Sequence, residues 1–475
     1  MKDYTTDCAR DCTGVFDNSG FLLYICFMEN SRGNWGSSVG FVLAAAGSAV
    51  GVGNLWRFPY MMGSNGGFWF LVIYIIFIVL LGLPVLLGEF SIGRFSQLSP
   101  VAAYRKIQKG SGFVGVLAIV APFLIMTYYG IVGGWGLKYF ASYVTTGEGA
   151  DFFGLIGGTL GLGAWQPIIW NVVFLFICWF CCVFGVEGIE KANRIMMPAL
   201  FVLMIVIIIR SLTLPGAGDG LRFMFANPEG FTLKAIPAAM GQVFFSLSLA
   251  MGAMITYGSY LKKDENLPRS TMTVAGLDTL VAFLAGFAIF PAVFALGYDP
   301  AEGAGLAFVT LPGVFDTMPA GAVFGAAFFL LLVFAALTSA ISLLEACSAF
   351  AIDSLKIKRT TAVTVLSIAF AVLSIPNSLS MADGTVFSGV ESFLGKNLFD
   401  TVDWISNNLL LPIGGLLMCI VVGWFWKPEK AIGEIESTPN YSFKLKKAWK
   451  LCIQVISPIL IAIVLVTQFV NLAQS

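Results

Sequence analysis

The stretch Ala46-Gly47-Ser48-Ala49-Val50-Gly51-Val52-Gly53-Asn54 lies in the middle of an apolar run covering 38–63. Three glycines at that depth weaken a helix and permit backbone angles that other residues avoid. Gly47 and Gly51 alone would be explained by close helix packing. Asn54 and Arg57, one turn further on, would not, because polar and charged groups inside a span are costly and usually functional. A second run has the same feature. Phe245-Ser246-Leu247-Ser248-Leu249-Ala250-Met251-Gly252 puts two serines at mid-depth of the apolar stretch 236–261.

Working outward, apolar stretches separated by turn signals and charges give eleven spans. They cover 38–63, 68–92, 112–144, 167–184, 190–213, 236–261, 268–298, 321–354, 360–376, 398–426 and 446–471. The third and eighth are long enough to require tilt. Of the 475 residues, 58% are hydrophobic and only 11% charged, with mean hydropathy +0.86. Soluble domains carry about a quarter charged residues, so most of this surface faces lipid. The expected fold is an all-α integral membrane protein of eleven transmembrane helices. Its two interrupted spans, the first and sixth, lie five apart. They therefore occupy equivalent positions in two five-helix repeats, 37–213 and 236–426, and an odd span number inverts the second copy. Paired interruptions of this kind point to a binding site. An outer loop 214–235 joins the repeats. A cytoplasmic loop 427–445 leads to the last helix and short outer C-terminus, 446–475. Residues 1–36 read as a cytoplasmic tail, with 1–27 an upstream extension ahead of Met28.

Lysines and arginines orient the chain. With the N-terminus inside, the inner tail and loops hold 21 of the 27 basic residues, while 145–166 and 299–320 hold none. The N-terminus is thus expected in the cytoplasm and the C-terminus outside, in the cell's inner (plasma) membrane. Formal charge is zero, so nothing suggests nucleic acid. Histidine is absent, which removes the commonest metal ligand and proton shuttle. Most of the nine cysteines lie in apolar runs and read as buried thiols. No nucleophile–base pair suggests an enzyme.

The string Asn34-Trp35 through Gly47 to Tyr60, then Asn65-Gly66-Gly67, resembles the neurotransmitter:sodium symporter family. Gly241-Gln242-Val243-Phe244-Phe245-Ser246-Leu247-Ser248, Thr256-Tyr257-Gly258-Ser259-Tyr260 and Leu337-Thr338-Ser339 agree with it. Eleven spans rather than twelve are similar to bacterial amino-acid members. Physically, unwound backbone frees carbonyl oxygens, and a hard cation such as Na⁺ favours oxygen ligands. Freed amides at a half-helix N-terminus suit a carboxylate.

The resemblance implies two sodium ions. The first would meet the Ala49 carbonyl, Asn54, Ser246 and the substrate carboxylate. The second would meet carbonyls of Gly47, Val50 and Ala335 and hydroxyls of Thr338 and Ser339. Singly, such hydroxyls more often bond back to their own helix. The substrate carboxylate would meet the amides of Val52 and Gly53 and the hydroxyl of Tyr129, next to Gly51. Ser48, Ile125, Phe245, Ser248, Met251, Ser339 and Leu343 would line the side-chain pocket, with Ala49 and Ser246 at its edge. Amine-transporting relatives carry aspartate where this chain has Gly51, so an amino acid with a large apolar or aromatic side chain is the expected substrate.

Asp278 departs from the chloride-dependent pattern, which has asparagine there and serine where this chain has Ala282. The remaining chloride-pocket residues, Tyr74, Gln242 and Ser246, are present. Two Na⁺ and one carboxylate leave one positive charge, which ionised Asp278 would cancel. The expectation is chloride-independent transport, with Asp278 ligating sodium and substituting for chloride. Its protonation in the empty site would give proton antiport. The resemblance further implies an outer gate of Arg57 and Asp403 with Phe245 as lid. Arg32 and Asp353, with Trp35 and Tyr260, would form the inner gate. Gly188 and Pro198 match a motif linked to unwinding of the fifth span. A proton-coupled permease of similar fold, or a transporter-like sensor or channel, remains open, as does monomer against dimer.

Overall fold

The computed structural model describes residues 33–151, 155, 162–226, 231–298, 300, 306–382, 384–388, 390, 395–439 and 441–474. From Asn34 onward these form one unit, helical with no strand among the described residues. The expectation for 1–27 and the inner-gate residue Arg32 lie outside the described residues.

The first span is α1 (Ser38–Ala49) and α2 (Gly53–Ser64), bent by 45° at the break. Ser37 caps α1, its hydroxyl accepting the Gly40 amide, and Val50 turns extended at φ −74, ψ 95. The second span is α3 (Phe68–Ser96), followed by a short surface helix α4 (Pro100–Ile107). Then come α5 (Gly112–Thr145), α6 (Leu162–Val183), α7 (Val186–Leu212) and α8 (Ala217–Phe225). The sixth span is again two pieces, α9 (Ala235–Ser246) and α10 (Ala253–Gly258). The rest are α11 (Leu267–Ala295), α12 (Leu306–Thr317), α13 (Gly321–Leu355), α14 (Arg359–Leu379), α15 (Leu398–Phe425), α16 (Pro428–Ile435) and α17 (Lys446–Val470). Among the described residues nine helices are long and apolar enough to cross a membrane, ten with the bent pair. The expected eleventh is α9 with α10, whose pieces are each too short to be counted alone.

Lipid-facing sides are plain. Phe176 and Phe180 on α6 are 61% and 55% exposed, which in water would be an association hazard. The long α5 and α13 are mostly buried and form the centre of the bundle. Two loops hold more structure than their sequence suggested. The connection 299–320 contains α12, whose Leu306, Phe308, Leu311 and Phe315 are buried. In the loop 427–445, Arg94 of α3 reaches α16, pairing with Glu434 at 2.8 Å, and Lys263 pairs with the same carboxylate at 2.6 Å. Pro198 lies inside α7 and the helix continues through both Gly188 and Pro198.

Candidate functional site between the two broken helices

The two breaks differ in chemistry. At the first, glycines allow the turn, and the Asn54 side chain holds it by accepting the Gly51 amide at 3.1 Å. At the second, two non-glycine residues, Ser248 (φ 52) and Ala250 (φ 61), take left-handed angles before Gly252 (φ 66). Such angles cost of order 1–3 kcal/mol each. Part of that cost is met by Glu89 of α3, fully buried, whose carboxylate accepts the Ala250 amide at 2.9 Å. Sequence reasoning missed Glu89. The signal was there, because a carboxylate inside an apolar span demands a partner.

Ser48 ties the breaks together. Its hydroxyl donates to Ser342 at 2.7 Å and lies 3.2 Å from the Ser248 hydroxyl, which in turn donates to the Ser48 carbonyl at 2.8 Å. Beside this knot is a small cavity lined by Ser48, Ala49, Gly51, Gly53, Ile125, Tyr129, Phe245, Ser248, Met251, Ser339 and Leu343. Every one of these was a substrate-site expectation. Of the remaining two, Val52 touches the site through its amide, which donates to the Tyr129 hydroxyl at 3.3 Å. Ser246 lies outside the lining and faces Asp278 instead. No acidic residue lines the cavity. A Cβ on Gly51 would come within 3.0 Å of the Tyr129 hydroxyl and overlap the Ser339 hydroxyl, so a side chain there would require Ser339 to move.

The five residues expected around the second cation converge. Thr338 Oγ1 is 3.2 Å from the Val50 carbonyl and 3.0 Å from that of Ala335. Ser339 Oγ is 3.5 Å from the Gly47 carbonyl and 3.0 Å from that of Ser48. Hydroxyls and carbonyls held so close form an oxygen-rich point joining α1 to α13. Hard cations favour such a donor set.

The first-cation residues surround a carboxylate. Asp278 is wholly buried, and the Ser246 hydroxyl, a single donor, lies 2.7 and 2.9 Å from its two oxygens. Tyr74 donates at 3.2 Å and Asn54 Nδ2 at 2.7 Å. Two details differ from expectation. Asn54 turns its NH₂, not its oxygen, toward Asp278, because its oxygen is engaged by the Gly51 amide; offering oxygen to a cation would require the amide to rotate. Gln242 donates to the Gly53 carbonyl at 2.7 Å, with no bond to Asp278 among the described residues.

Next to the cavity lies a larger vestibule, which shares Tyr129 and Phe245 with it and is walled by Arg57, Tyr60, Tyr128, Trp135, Phe399 and Asp403. Phe245 thus divides the two spaces. The expected Arg57–Asp403 ion pair is not formed. The Arg57 guanidinium stands over the Phe245 ring at 4.9 Å, while Asp403 accepts from Asn407 at 2.7 Å. The guanidinium is taken by the Phe245 ring and the carboxylate by Asn407, so each charge is engaged elsewhere. The opposite side is closed. Trp35 Nε1 donates to the Tyr257 carbonyl at 3.0 Å and packs edge-on against Tyr257 and Tyr260. Tyr260 donates to Glu345 at 2.6 Å, and Glu345 pairs with Arg359, which also holds the Cys182 carbonyl. Asp353 accepts the Ser99 amide at 2.7 Å. Glu345 and Arg359 were not foreseen as a closing pair, although Glu345 is again a carboxylate in an apolar span.

A helical membrane protein with a cavity between two interrupted helices, and a second space beyond it walled by charged and aromatic side chains, has the architecture of a transporter. The description "Sodium:neurotransmitter symporter family" matches residues 32–148 and 158–475, and the chain belongs to that family. A sodium-dependent transporter of Bacillus subtilis, YhdH, is 37% identical over 94% of this chain and 98% of its own length. A sodium-dependent transporter of Methanocaldococcus jannaschii is 34% identical over 94% and 92%. The crystal structure of MhsT in complex with L-phenylalanine is 42% identical, with a TM-score of 0.84, covering 92% of this chain and 99% of that one. The protein is a sodium-coupled membrane transporter and not an enzyme.

Proposed function

We propose that the protein imports an α-amino acid with a large apolar or aromatic side chain, moving it with two sodium ions and without chloride. One observation carries this reading: a cavity with no acidic residue, bounded by Tyr129 and the N-terminus of α2, stands beside the buried, fully hydrogen-bonded carboxylate of Asp278. Amides at that helix end, with Tyr129, suit the substrate's carboxylate. Ile125, Phe245, Met251 and Leu343 suit an apolar side chain, and the similar MhsT structure holds L-phenylalanine. Asp278 supplies the negative charge that balances the second sodium, and Ala49, Asn54 and Ser246 complete the first cation's surroundings.

Transport would proceed by alternating access. The vestibule accepts substrate; closure brings Arg57 toward Asp403 over Phe245, and release follows separation of the Trp35, Tyr260, Glu345 and Arg359 contacts. The inverted repeats 37–213 and 236–426 provide the two halves of that motion, with the N-terminus cytoplasmic in the cell's inner membrane. Each charge entering across 100 mV contributes about 2.3 kcal/mol, and about 1.4 kcal/mol sustains a tenfold gradient, so sodium entry suffices to concentrate substrate. Equilibrium binding of labelled L-phenylalanine to the purified protein tests the site. Binding is expected in sodium gluconate and absent in choline chloride. Binding that requires chloride would remove the role given to Asp278. Binding that follows protons and ignores sodium would favour the permease reading.

A further inference from the structure

Asn193 of α7 is wholly buried. Its Nδ2 donates to the Ile189 carbonyl at 2.9 Å, one turn back. Its Oδ1 takes no hydrogen bond from any described residue. A buried acceptor left this way is costly and calls for a specific reason. The oxygen is aimed at Gly47: a Cβ built there would overlap it, and would come within 3.2 Å of Thr338 Cβ. Asn193 Oδ1, the Gly47 backbone and Thr338 therefore meet at one place, and two of the three belong to the proposed second cation set. Neither Gly47 nor Asn193 lines the substrate cavity. Three residues before Asn193, Glu190 takes the Gly36 amide at 2.7 Å at the start of α1. Asn193 thus lies between the cation set and the closed end of the bundle.

We propose that Asn193 Oδ1 is the oxygen that receives the sodium ion as it leaves the second set toward that closed end. This rests on the reading of Gly47, Val50, Ala335, Thr338 and Ser339 as that set. An acceptor-only oxygen with no donor suits a cation, and one helix turn separates it from the Glu190 carboxylate further along the same face. The competing role is structural, a Cα–H···O contact between Gly47 and Asn193 that merely fastens α1 to α7. The two roles differ in what they control. A station on the path sets the rate of sodium passage with little effect on equilibrium affinity, whereas a fastening sets stability.

The test compares N193V with N193T, which share a shape and differ by one hydroxyl oxygen. Exchange of ²²Na⁺ across proteoliposomes, with saturating labelled phenylalanine on both sides, is read beside the sodium half-saturation of phenylalanine binding. N193V should exchange about tenfold more slowly than wild type, the size of one lost polar contact. N193T should recover most of the rate, and half-saturation should stay within about twofold in both. Equal exchange rates in N193V and N193T would overturn the proposal, as would a loss of binding affinity in both without a difference in rate. Should neither fold, N193A and N193S make the same one-oxygen comparison. Wild-type protein that exchanges no sodium would fail the underlying sodium reading, an outcome distinct from equal rates in two active variants.

Discussion

Asp278 is the residue on which the charge balance turns. Its hydrogen bonds to Ser246, Tyr74 and Asn54 show a carboxylate fully engaged by donors. Asp278→Asn keeps the shape and removes the charge. Uptake in gluconate should fall at least about tenfold, since a cation site losing an ionised ligand forfeits well over 1.4 kcal/mol. Adding Ala282→Ser to Asp278→Asn should restore part of the uptake in chloride medium only. Uptake by Asp278→Asn at the wild-type rate in both anions would contradict the assigned role. Thr338 makes a second residue-scale test. Thr338→Val preserves volume and deletes the hydroxyl that meets the Val50 and Ala335 carbonyls. It should raise the sodium half-saturation of phenylalanine binding about tenfold. An unchanged sodium titration would remove Thr338 from the cation set.

At the scale of the element, the second break depends on a contact from another helix. Ser248 and Ala250 hold left-handed angles that neither residue favours, and Glu89 holds the Ala250 amide. Glu89→Leu leaves that amide without its acceptor and should lower stability by about 1–3 kcal/mol, seen as a lower melting temperature in detergent together with lost phenylalanine binding. Glu89→Gln retains an acceptor and should lose much less. Equal melting behaviour in the two variants would mean that the break stands without Glu89. This is also where sequence and structure part. The break at 46–54 was legible because glycine announces unusual backbone, and Asn54 and Arg57 announce function. The break at 247–252 was legible only as a pair of serines, since its geometry is imposed by α3. The buried ends of the Glu345–Arg359 pair, fourteen positions apart on two helices, and the oxygen of Asn193 are legible only once partners distant in the chain are brought together. The helix α12 was hidden because a short apolar segment flanked by loops resembles a connection.

For the whole molecule, the span boundaries followed from hydropathy with errors of a few residues, because backbone groups in lipid must be satisfied within helices and apolar length is fixed by the bilayer. The residues lining the cavity between the breaks were nearly all named from the sequence, because several of them lie in the strings at 47–60 and 241–248 that resemble the family. The gate was not. Arg57 and Asp403 are both present, yet Arg57 stands over Phe245 and Asp403 accepts from Asn407, while Trp35 and Tyr260 pack together on the far side, a matter of conformation that no string of residues records. That arrangement predicts a labelling pattern. Tyr60→Cys, in the vestibule wall, should react with a membrane-impermeant thiol reagent when sodium is present alone. Adding phenylalanine with sodium should slow the reaction severalfold as the outer walls close. Labelling that is indifferent to substrate would argue against closure of this vestibule during the cycle.

The central claim is that sodium, without chloride, drives entry of an apolar amino acid. Labelled phenylalanine uptake into proteoliposomes with an inward sodium gluconate gradient, set against an inward choline chloride gradient, measures it most directly. Accumulation above equilibrium in sodium gluconate, with none in choline chloride, is the expected result. Accumulation driven equally by both, or by an inward proton gradient without sodium, would contradict it.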